Sequence, residues 1–194
     1  IAGTCLHKIL ERVDFNEIEN QLKISSIIKE ELNIVNISNS FIEPINILLK
    51  RIANIPLGGP LGKFKMKNLN SKSSIKELKF DIPICHEANP INTLELSSIF
   101  REDVQNKYGS DYINKLIDLK IHSSGFLTGS IDQVFADNPN HEIAKWWVLD
   151  WKSNWIGSPL SQEDGSSCGP SNYSIARMDK EMYHHHYPLQ AHIY

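Results

Sequence analysis

The sequence predicts an α/β fold, with a central mixed β-sheet flanked by helices. Three observations predict it. Helical patterns dominate the first 54 residues, strand-like apolar runs follow them, and helical character returns before the last residue. A chain of 194 residues with 41% hydrophobic content is long enough for one domain with a sizeable core. We therefore expect a single domain over 1–194.

The N-terminal part of the chain is predicted to be helical. Residues 3–13 carry apolar side chains three and four positions apart, which is the pattern of an amphipathic helix. Two further helical stretches follow, at roughly 17–32 and 41–53. The sequence Pro56-Leu57-Gly58-Gly59-Pro60 then breaks the pattern, so we expect a loop there.

Strands and helices alternate in the rest of the chain. Residues 75–84 alternate apolar and polar side chains and predict a strand, whereas 93–104 and 110–119 predict helices with polar faces. The stretch 157–172 is rich in Gly, Ser and Pro and predicts a flexible excursion. Pro188 suits the first position of a last helix.

Two strands are predicted to form a hairpin. Residues 126–135 and 143–152 are rich in aromatic and β-branched side chains, and they flank the turn-forming residues 137–140. The midpoint between residues 132 and 150 is 141, inside the predicted loop, so a hairpin centred there would set Asp132 roughly opposite Asp150, with Cβ atoms about 5 Å apart. The second run is apolar on nearly both faces, which predicts a central strand covered by helices on each side.

Asp132, Asp150 and Lys152 suggest a hydrolytic metal site. In a strand, Asp150 and Lys152 point to one face while Trp151 points to the other. Two adjacent carboxylates repel unless a cation neutralises them, and hard oxygen ligands suit Mg²⁺ or Mn²⁺. A lysine beside such a metal could orient a water and stabilise charge on a phosphate, so the pattern predicts phosphodiester hydrolysis.

The alternative is structural, because an Asp-x-Lys tripeptide is common and usually lies on a solvated strand edge. Here it ends a strand that is too apolar for an edge, and an unpaired buried charge would be strongly destabilising.

Five short motifs follow one another along the whole chain: Gly3-Thr4-Cys5-Leu6-His7, residues 76–84, Gly129-Ser130-Ile131-Asp132, Leu149-Asp150-Trp151-Lys152-Ser153-Asn154-Trp155, and Tyr187-Pro188-Leu189-Gln190 with Tyr194. In this order they resemble the nuclease domain of the RecB family, the beta subunits of exodeoxyribonuclease V, in the PD-(D/E)XK nuclease superfamily. The resemblance implies a restriction-endonuclease-like core with helical N-terminal additions.

The resemblance also assigns roles to individual residues. It implies that His7, Asp132 and Asp150 bind the metal and that Lys152 is the catalytic lysine, acting with the two aspartates. Without the resemblance, His7 would be taken for a satisfied histidine on a helix face.

Four more residues are expected to support the site. Gln190 and Tyr194 match the family's Q-x-x-x-Y motif, which is thought to support the site and DNA. Tyr187 stacks or hydrogen-bonds near the site, or belongs to the core. Glu77 matches the glutamate on the strand before the site, and its alternative is a surface position.

Larger assemblies are implied only by the resemblance. It implies an ATP-dependent helicase upstream on the same polypeptide, RecC- and RecD-like partners, and processing of double-stranded and single-stranded DNA ends during recombinational repair. The chain begins at Ile1 rather than Met, and we expect it to be a fragment of a longer protein. The rival interpretations are a catalytically degenerate scaffold and a stand-alone nuclease of the same superfamily.

Composition limits the other functions. The net charge of -3 gives no global attraction to DNA, although the lysines of residues 62–79 either track a phosphate backbone or form a solvated face. Cys5, Cys85 and Cys168 are far apart, so we expect neither a disulfide scaffold nor an iron–sulfur cluster. A reducing bacterial cytosol suits them, and no apolar run is long enough to cross a membrane.

The tract His184-His185-His186 invites a metal-binding interpretation. Consecutive helical residues point about 100° apart and cannot all face one ion. We expect a solvated helix end.

Overall fold

The computed structural model describes residues 1–84, 97–98, 109–119, 125–138, 144–157 and 168–194. The helices are α1 (Ala2–Arg12), α2 (Gln21–Ile34), α3 (Ile42–Asn54), α4 (Gly109–Ile117), α5 (Ile175–His184) and α6 (Tyr187–Ile193). The strands are β1 (Pro56–Gly58), β2 (Gly62–Lys65), β3 (Ser74–Ile84), β4 (Gly125–Ala136) and β5 (Trp146–Leu149). The predicted α/β class is confirmed.

Most predicted elements agree with the structure. The helices α1 and α3 and the strands β3 and β4 begin and end within one residue of the predicted stretches. The predicted helix 17–32 is shorter: α2 begins only at Gln21, because the side chain of Asn20 accepts a hydrogen bond from Lys23 N and caps the helix there. The predicted helix 93–104 and the excursion 157–172 lie mostly outside the described residues.

The loop expected at residues 56–60 is instead part of a hairpin. Strands β1 and β2 pair antiparallel, with Pro56 opposite Lys65 and Gly58 opposite Gly62. Gly58, Gly59 and Gly62 have φ angles of 70°, 48° and 56°, a region that glycine enters without a steric penalty. These glycines therefore permit the tight turn.

A second sheet has the order β3-β4-β5, and β4 pairs antiparallel with β5 as predicted. The prediction that β5 is a central, doubly covered strand is wrong for the described chain, where β5 lies at the edge of this sheet. Trp146 and Val148 are 60% and 47% exposed, while Trp147 and Leu149 on the other face are partly buried. Strand β5 is therefore apolar on both faces, although only one of its faces is partly buried.

The described residues divide into two units, and the expectation of a single domain stays a prediction. The first unit contains Ile1–Leu78, Ile131–Ser174 and Tyr194, and the second contains Lys79–Ser130 and Ile175–Ile193. The core of the first unit is helical. It buries residues of α1, α2 and α3 together with the following turns, among them Ile9, Phe15, Ile28, Leu49 and Met66.

The second unit has a smaller aromatic core. Tyr112 and Leu116 of α4 are fully buried, and Tyr183 and Leu189 pack against them. The backbone N–H of Leu189 donates to the Tyr112 hydroxyl, which fixes the start of α6. Among the described residues, no helix is both long and apolar enough to cross a membrane.

Candidate active site

The pairing of β4 with β5 brings the two predicted acids together. Gln133 pairs with Leu149, and the same register continues through the next three positions of each strand. One step outward from the Gln133–Leu149 pair, this register sets Asp132 opposite Asp150. The hairpin register predicted from the sequence is therefore confirmed.

Asp132 is fixed by a backbone hydrogen bond. The N–H of Trp151 donates to Asp132 Oδ2 over 2.6 Å, and His7 Nδ1 lies 3.7 Å from the same oxygen. The side chain of Asp132 is only 15% exposed, compared with 32% for His7. His7 of α1 therefore lies beside the carboxylate of Asp132 in β4.

Asp150 and Lys152 form an ion pair, and their side chains lie on the same side of the chain, as the two-residue spacing predicts. Trp151 lies between them in sequence and packs instead toward the helical core, where its ring is 6.0 Å from that of Phe15. Packing of Trp151 against the core therefore directs Asp150 and Lys152 toward the site.

Helix α1 carries His7 and approaches the site closely at its N-terminal end. A Cβ atom added to Gly3 would lie 2.7 Å from the hydroxyl oxygen of Ser153. Farther along the helix, Arg12 donates to Glu30 and Glu31 of α2, at 2.6 Å in each case. Gly3 therefore allows α1 to lie close to Ser153, and the ion pairs of Arg12 hold α1 against α2.

Lys76 of β3 holds the other end of α1. Its ammonium donates to the backbone carbonyl oxygens of Glu11 and Val13, at 2.9 and 2.5 Å, and lies 3.5 Å from that of Leu10. These carbonyls end a helix and have no intrahelical donor, and the helix dipole also favours a cation there. Burial lowers the pKa of Lys76. The sequence suggested that Lys76 faces either a phosphate backbone or solvent, but in the structure its ammonium points inward.

Glu77 follows Lys76 and faces the site. It has a φ of 49°, a left-handed conformation that is uncommon for any residue but glycine and typical of strained functional positions. Glu77 lines a cavity of about 550 Å³ together with His7, Asp132 and Ser153. Glu77 therefore lies beside the predicted ligands, and its role in the site stays a prediction.

Burial raises the pKa of Asp132 above its ordinary value. The nearby carboxylates of Asp150 and Glu77 raise it further, whereas the Trp151 N–H and His7 lower it. Asp150 and Glu77 are therefore both close enough to repel a charged Asp132. A divalent cation would relieve this repulsion, and carboxylate oxygens with one imidazole nitrogen are suitable ligands for Mg²⁺ or Mn²⁺.

The three predicted ligands do not form a complete metal site. In the parts of the chain that the structure describes, no group of three or more His, Cys, Asp or Glu side chains is arranged to hold an ion. Asp132 is instead engaged by Trp151 and His7, and Asp150 by Lys152. The assignment of His7, Asp132 and Asp150 as metal ligands stays a prediction.

Three of the four predicted supporting residues, Tyr187, Gln190 and Tyr194, lie at the C-terminal end of the chain. Tyr187 and Gln190 belong to α6 of the second unit, both partly buried, and the Gln190 N–H donates to the His186 carbonyl. Tyr194 follows the last residue of α6. Their roles near the site stay predictions.

The histidine tract differs in detail from the solvated helix end that was expected. His184 and His185 are exposed, and His185 lies 3.3 Å from Glu181. His186 is partly buried beside Tyr112, and burial lowers its pKa. One of the three histidines therefore belongs to the interior of its unit.

Three contributions to the site were not predicted from the sequence: the Trp151 backbone N–H, the Lys76 ammonium and the contact of Gly3 with Ser153. The only signal for the first was the register itself, which places residue 151 next to the residue opposite Asp132. The other two join residues more than 60 positions apart and leave no local pattern.

The chain resembles known proteins over its whole length. No protein-family model matches the chain. All 194 residues align with RecBCD enzyme subunit RecB from Buchnera aphidicola subsp. Baizongia pistaciae, at 32% identity. The subunits of the same name from Haemophilus influenzae and Escherichia coli K12 are each 26% identical, over 100% and 99% of the chain. The chain is similar to one segment of these RecB proteins. It spans 14% of the length of these RecB proteins.

The raised pKa of Asp132 predicts how the stability of the chain depends on pH. A carboxyl whose folded-state pKa exceeds its unfolded value stabilises the fold below the unfolded pKa, about 3.9, and this contribution is lost as pH rises through the folded-state pKa. Asp132→Asn stays neutral and can still accept the Trp151 N–H. With chelator present, we expect it to raise the melting temperature at neutral pH, and the difference to disappear in acid.

Thermal melts at several pH values measure this difference. Asp179→Asn, on the exposed face of α5, is the matched control and should show no such dependence. Equal melting temperatures for Asp132→Asn and the wild type at neutral pH would contradict the electrostatic description of the site.

The contacts of Lys76 predict a stability effect. Lys76→Met keeps the aliphatic stem but removes the donors to the end of α1, so we expect the free energy of unfolding to fall by about 1–3 kcal/mol. Equilibrium unfolding in urea measures this change in the free energy of unfolding. Lys79→Met removes an exposed ammonium from the same strand and should change the stability by less than about 0.5 kcal/mol. Similar values for the two variants would show that Lys76 does not hold the helix.

Proposed function

We propose that this chain is the nuclease domain of a RecB-like protein and hydrolyses DNA phosphodiester bonds with a divalent metal ion, Mg²⁺ or Mn²⁺. The observation that carries the proposal is Asp132 set opposite Asp150 and Lys152, in a chain that aligns with RecB over its whole length. The alternation of helices and strands is compatible with a restriction-endonuclease-like core, which we include in the proposal.

The residues present suit the proposed metal. His7, Asp132 and Asp150 would hold it, with Glu77 in support. Each carboxylate has two oxygens with several lone-pair sites, and the contacts in the structure use Oδ2 of both aspartates. Accepting a hydrogen bond therefore does not exclude a metal contact. When bound, the ion supplies positive charge at the scissile phosphate and makes a coordinated water more acidic.

Lys152 is proposed to act on the phosphate. The ion pair with Asp150 holds its ammonium at the site, where it can donate a hydrogen bond to a phosphate oxygen or to the attacking water. A fixed cation stabilises the negative charge that builds on the phosphate in the transition state. We propose that Gln190, Tyr194 and Tyr187 support the site or contact DNA.

The wider context follows from the relatives named RecBCD enzyme subunit RecB. We include in the proposal a helicase region elsewhere in the polypeptide that uses ATP, RecC- and RecD-like partner subunits, and processing of DNA double-strand breaks for recombinational repair in the bacterial cytosol. A P-loop and helicase motifs in the upstream gene sequence would distinguish this arrangement from a stand-alone nuclease.

Cleavage of linear duplex DNA tests the proposal. We expect the wild-type chain to degrade DNA only with Mg²⁺ or Mn²⁺, and Asp150→Ala and Lys152→Ala to reduce the rate about 100-fold or more, because each removes a group that acts in the transition state. Gel assays with end-labelled DNA measure the rates.

Asp179→Ala and Lys180→Ala are the matched controls, since they remove an acid and a lysine from an exposed helix face. Both should cleave DNA at the wild-type rate. If all variants melt cooperatively and the wild type is no faster than Asp150→Ala, the proposal is wrong and the chain is a degenerate scaffold.

A further inference from the structure

Residues 44–76, here called the basic segment, contain seven basic residues and no acidic residue. The whole chain has a net charge of -3, so the other residues together are strongly acidic. The segment comprises most of α3, the β1–β2 hairpin and the turns that lead into β3. Positive charge is therefore concentrated in one continuous part of the first unit.

Four cations of the basic segment, Arg51, Lys63, Lys67 and Lys72, are exposed. Among the described residues, none of these four forms an ion pair, whereas Lys8, Arg12 and Lys23 each pair with a glutamate. Of the other three, Lys50 and Lys65 are partly buried, and Lys76 bonds to the carbonyls at the end of α1. The four exposed cations are available to an external anion.

The basic segment is attached to the strand that carries Asp132. Phe64 of β2 stacks on Phe135 of β4, with ring centroids 5.6 Å apart and planes inclined by 15°. The Gln133 amide donates to the Ser74 hydroxyl over 2.8 Å. A strand rises about 3.4 Å per residue, so Phe135 lies roughly 10 Å along β4 from Asp132. The attachment points therefore lie within about 10 Å of Asp132 along β4, on the opposite face of this strand.

Local structure directs these cations outward. Side chains alternate along β2, so Lys63 points away from the face on which Phe64 meets Phe135. Met66 and Leu69 are buried on either side of Lys67, and Asn70 caps the turn that contains Lys72. Burial of the apolar neighbours fixes the backbone and leaves the ammonium groups in solvent.

We propose that the basic segment binds the sugar-phosphate backbone of the DNA strand that enters the site. The inference rests on the proposed nuclease function and identifies where the substrate is held. Cations that contact phosphates bind DNA without regard to sequence, which suits an enzyme that degrades linear DNA. A local positive region also offsets the repulsion between DNA and the acidic remainder of the chain.

Salt-dependent DNA binding tests the proposal. Lys63→Gln, Lys67→Gln and Lys72→Gln are combined in one variant of the 194-residue chain, and Lys23→Gln, Lys29→Gln and Lys180→Gln in a control with the same change in charge. Fluorescence anisotropy with labelled duplex DNA and chelator gives the affinity without cleavage. Each phosphate contact contributes about 0.9 to the slope of log affinity against log salt concentration, so the segment variant should lose roughly 2 to 3 from the slope.

The control should keep the wild-type slope, and both variants should melt like the wild type. With Mg²⁺, the segment variant should show a higher KM and an unchanged kcat, because it keeps Asp150 and Lys152. Equal slopes for the two variants, or no binding by the wild type at low salt, would overturn the proposal and favour an acidic protein surface as the partner. A changed slope with no cleavage by the wild type would instead refute only the nuclease function.

Discussion

The antiparallel register of β4 and β5 is the constraint on which the site depends. Strand side chains alternate between faces, so a slip of one residue would move Asp132 away from Asp150. The hydrogen bond from Trp151 N–H to Asp132 fixes the first residue beyond the paired positions. Packing of the Trp151 ring on Phe15 ties the same residue to the helical core. Backbone pairing and core packing together hold two acids and a lysine in place.

A second constraint brings the start of the chain to these strands. Helix α1 is held at its C-terminal end by the Lys76 ammonium, and at its N-terminal end Gly3 permits close contact with Ser153. His7 lies between these two attachments and faces Asp132. The left-handed Glu77 follows Lys76 directly, so the residue that holds α1 also determines where this acid lies. Burial raises the pKa of Asp132, and the nearby carboxylates of Asp150 and Glu77 raise it further, so a cation at this position would be favourable.

The sequence predicts the parts of this arrangement that depend on local geometry. The midpoint between Asp132 and Asp150 falls at residue 141, inside the predicted loop, and this position predicted their pairing because hairpin register follows from the centre of the loop. The burial of β5 was wrongly predicted, since Trp146 is apolar yet exposed at the sheet edge. Lys76 could not be predicted, because bonding to helix-end carbonyls depends on tertiary packing. The role of His7 came only from the family resemblance, since a lone histidine on a helix has many ordinary explanations.

The central claim is that His7, Asp132 and Asp150 hold one divalent ion. Crystals of the chain soaked in Mn²⁺, with diffraction recorded near the manganese absorption edge, test it most directly. We expect an anomalous peak that bridges these three side chains, at ligand distances of about 2.0–2.3 Å. A peak only at His184–His186, or no peak at an Mn²⁺ concentration that supports DNA cleavage, would contradict it.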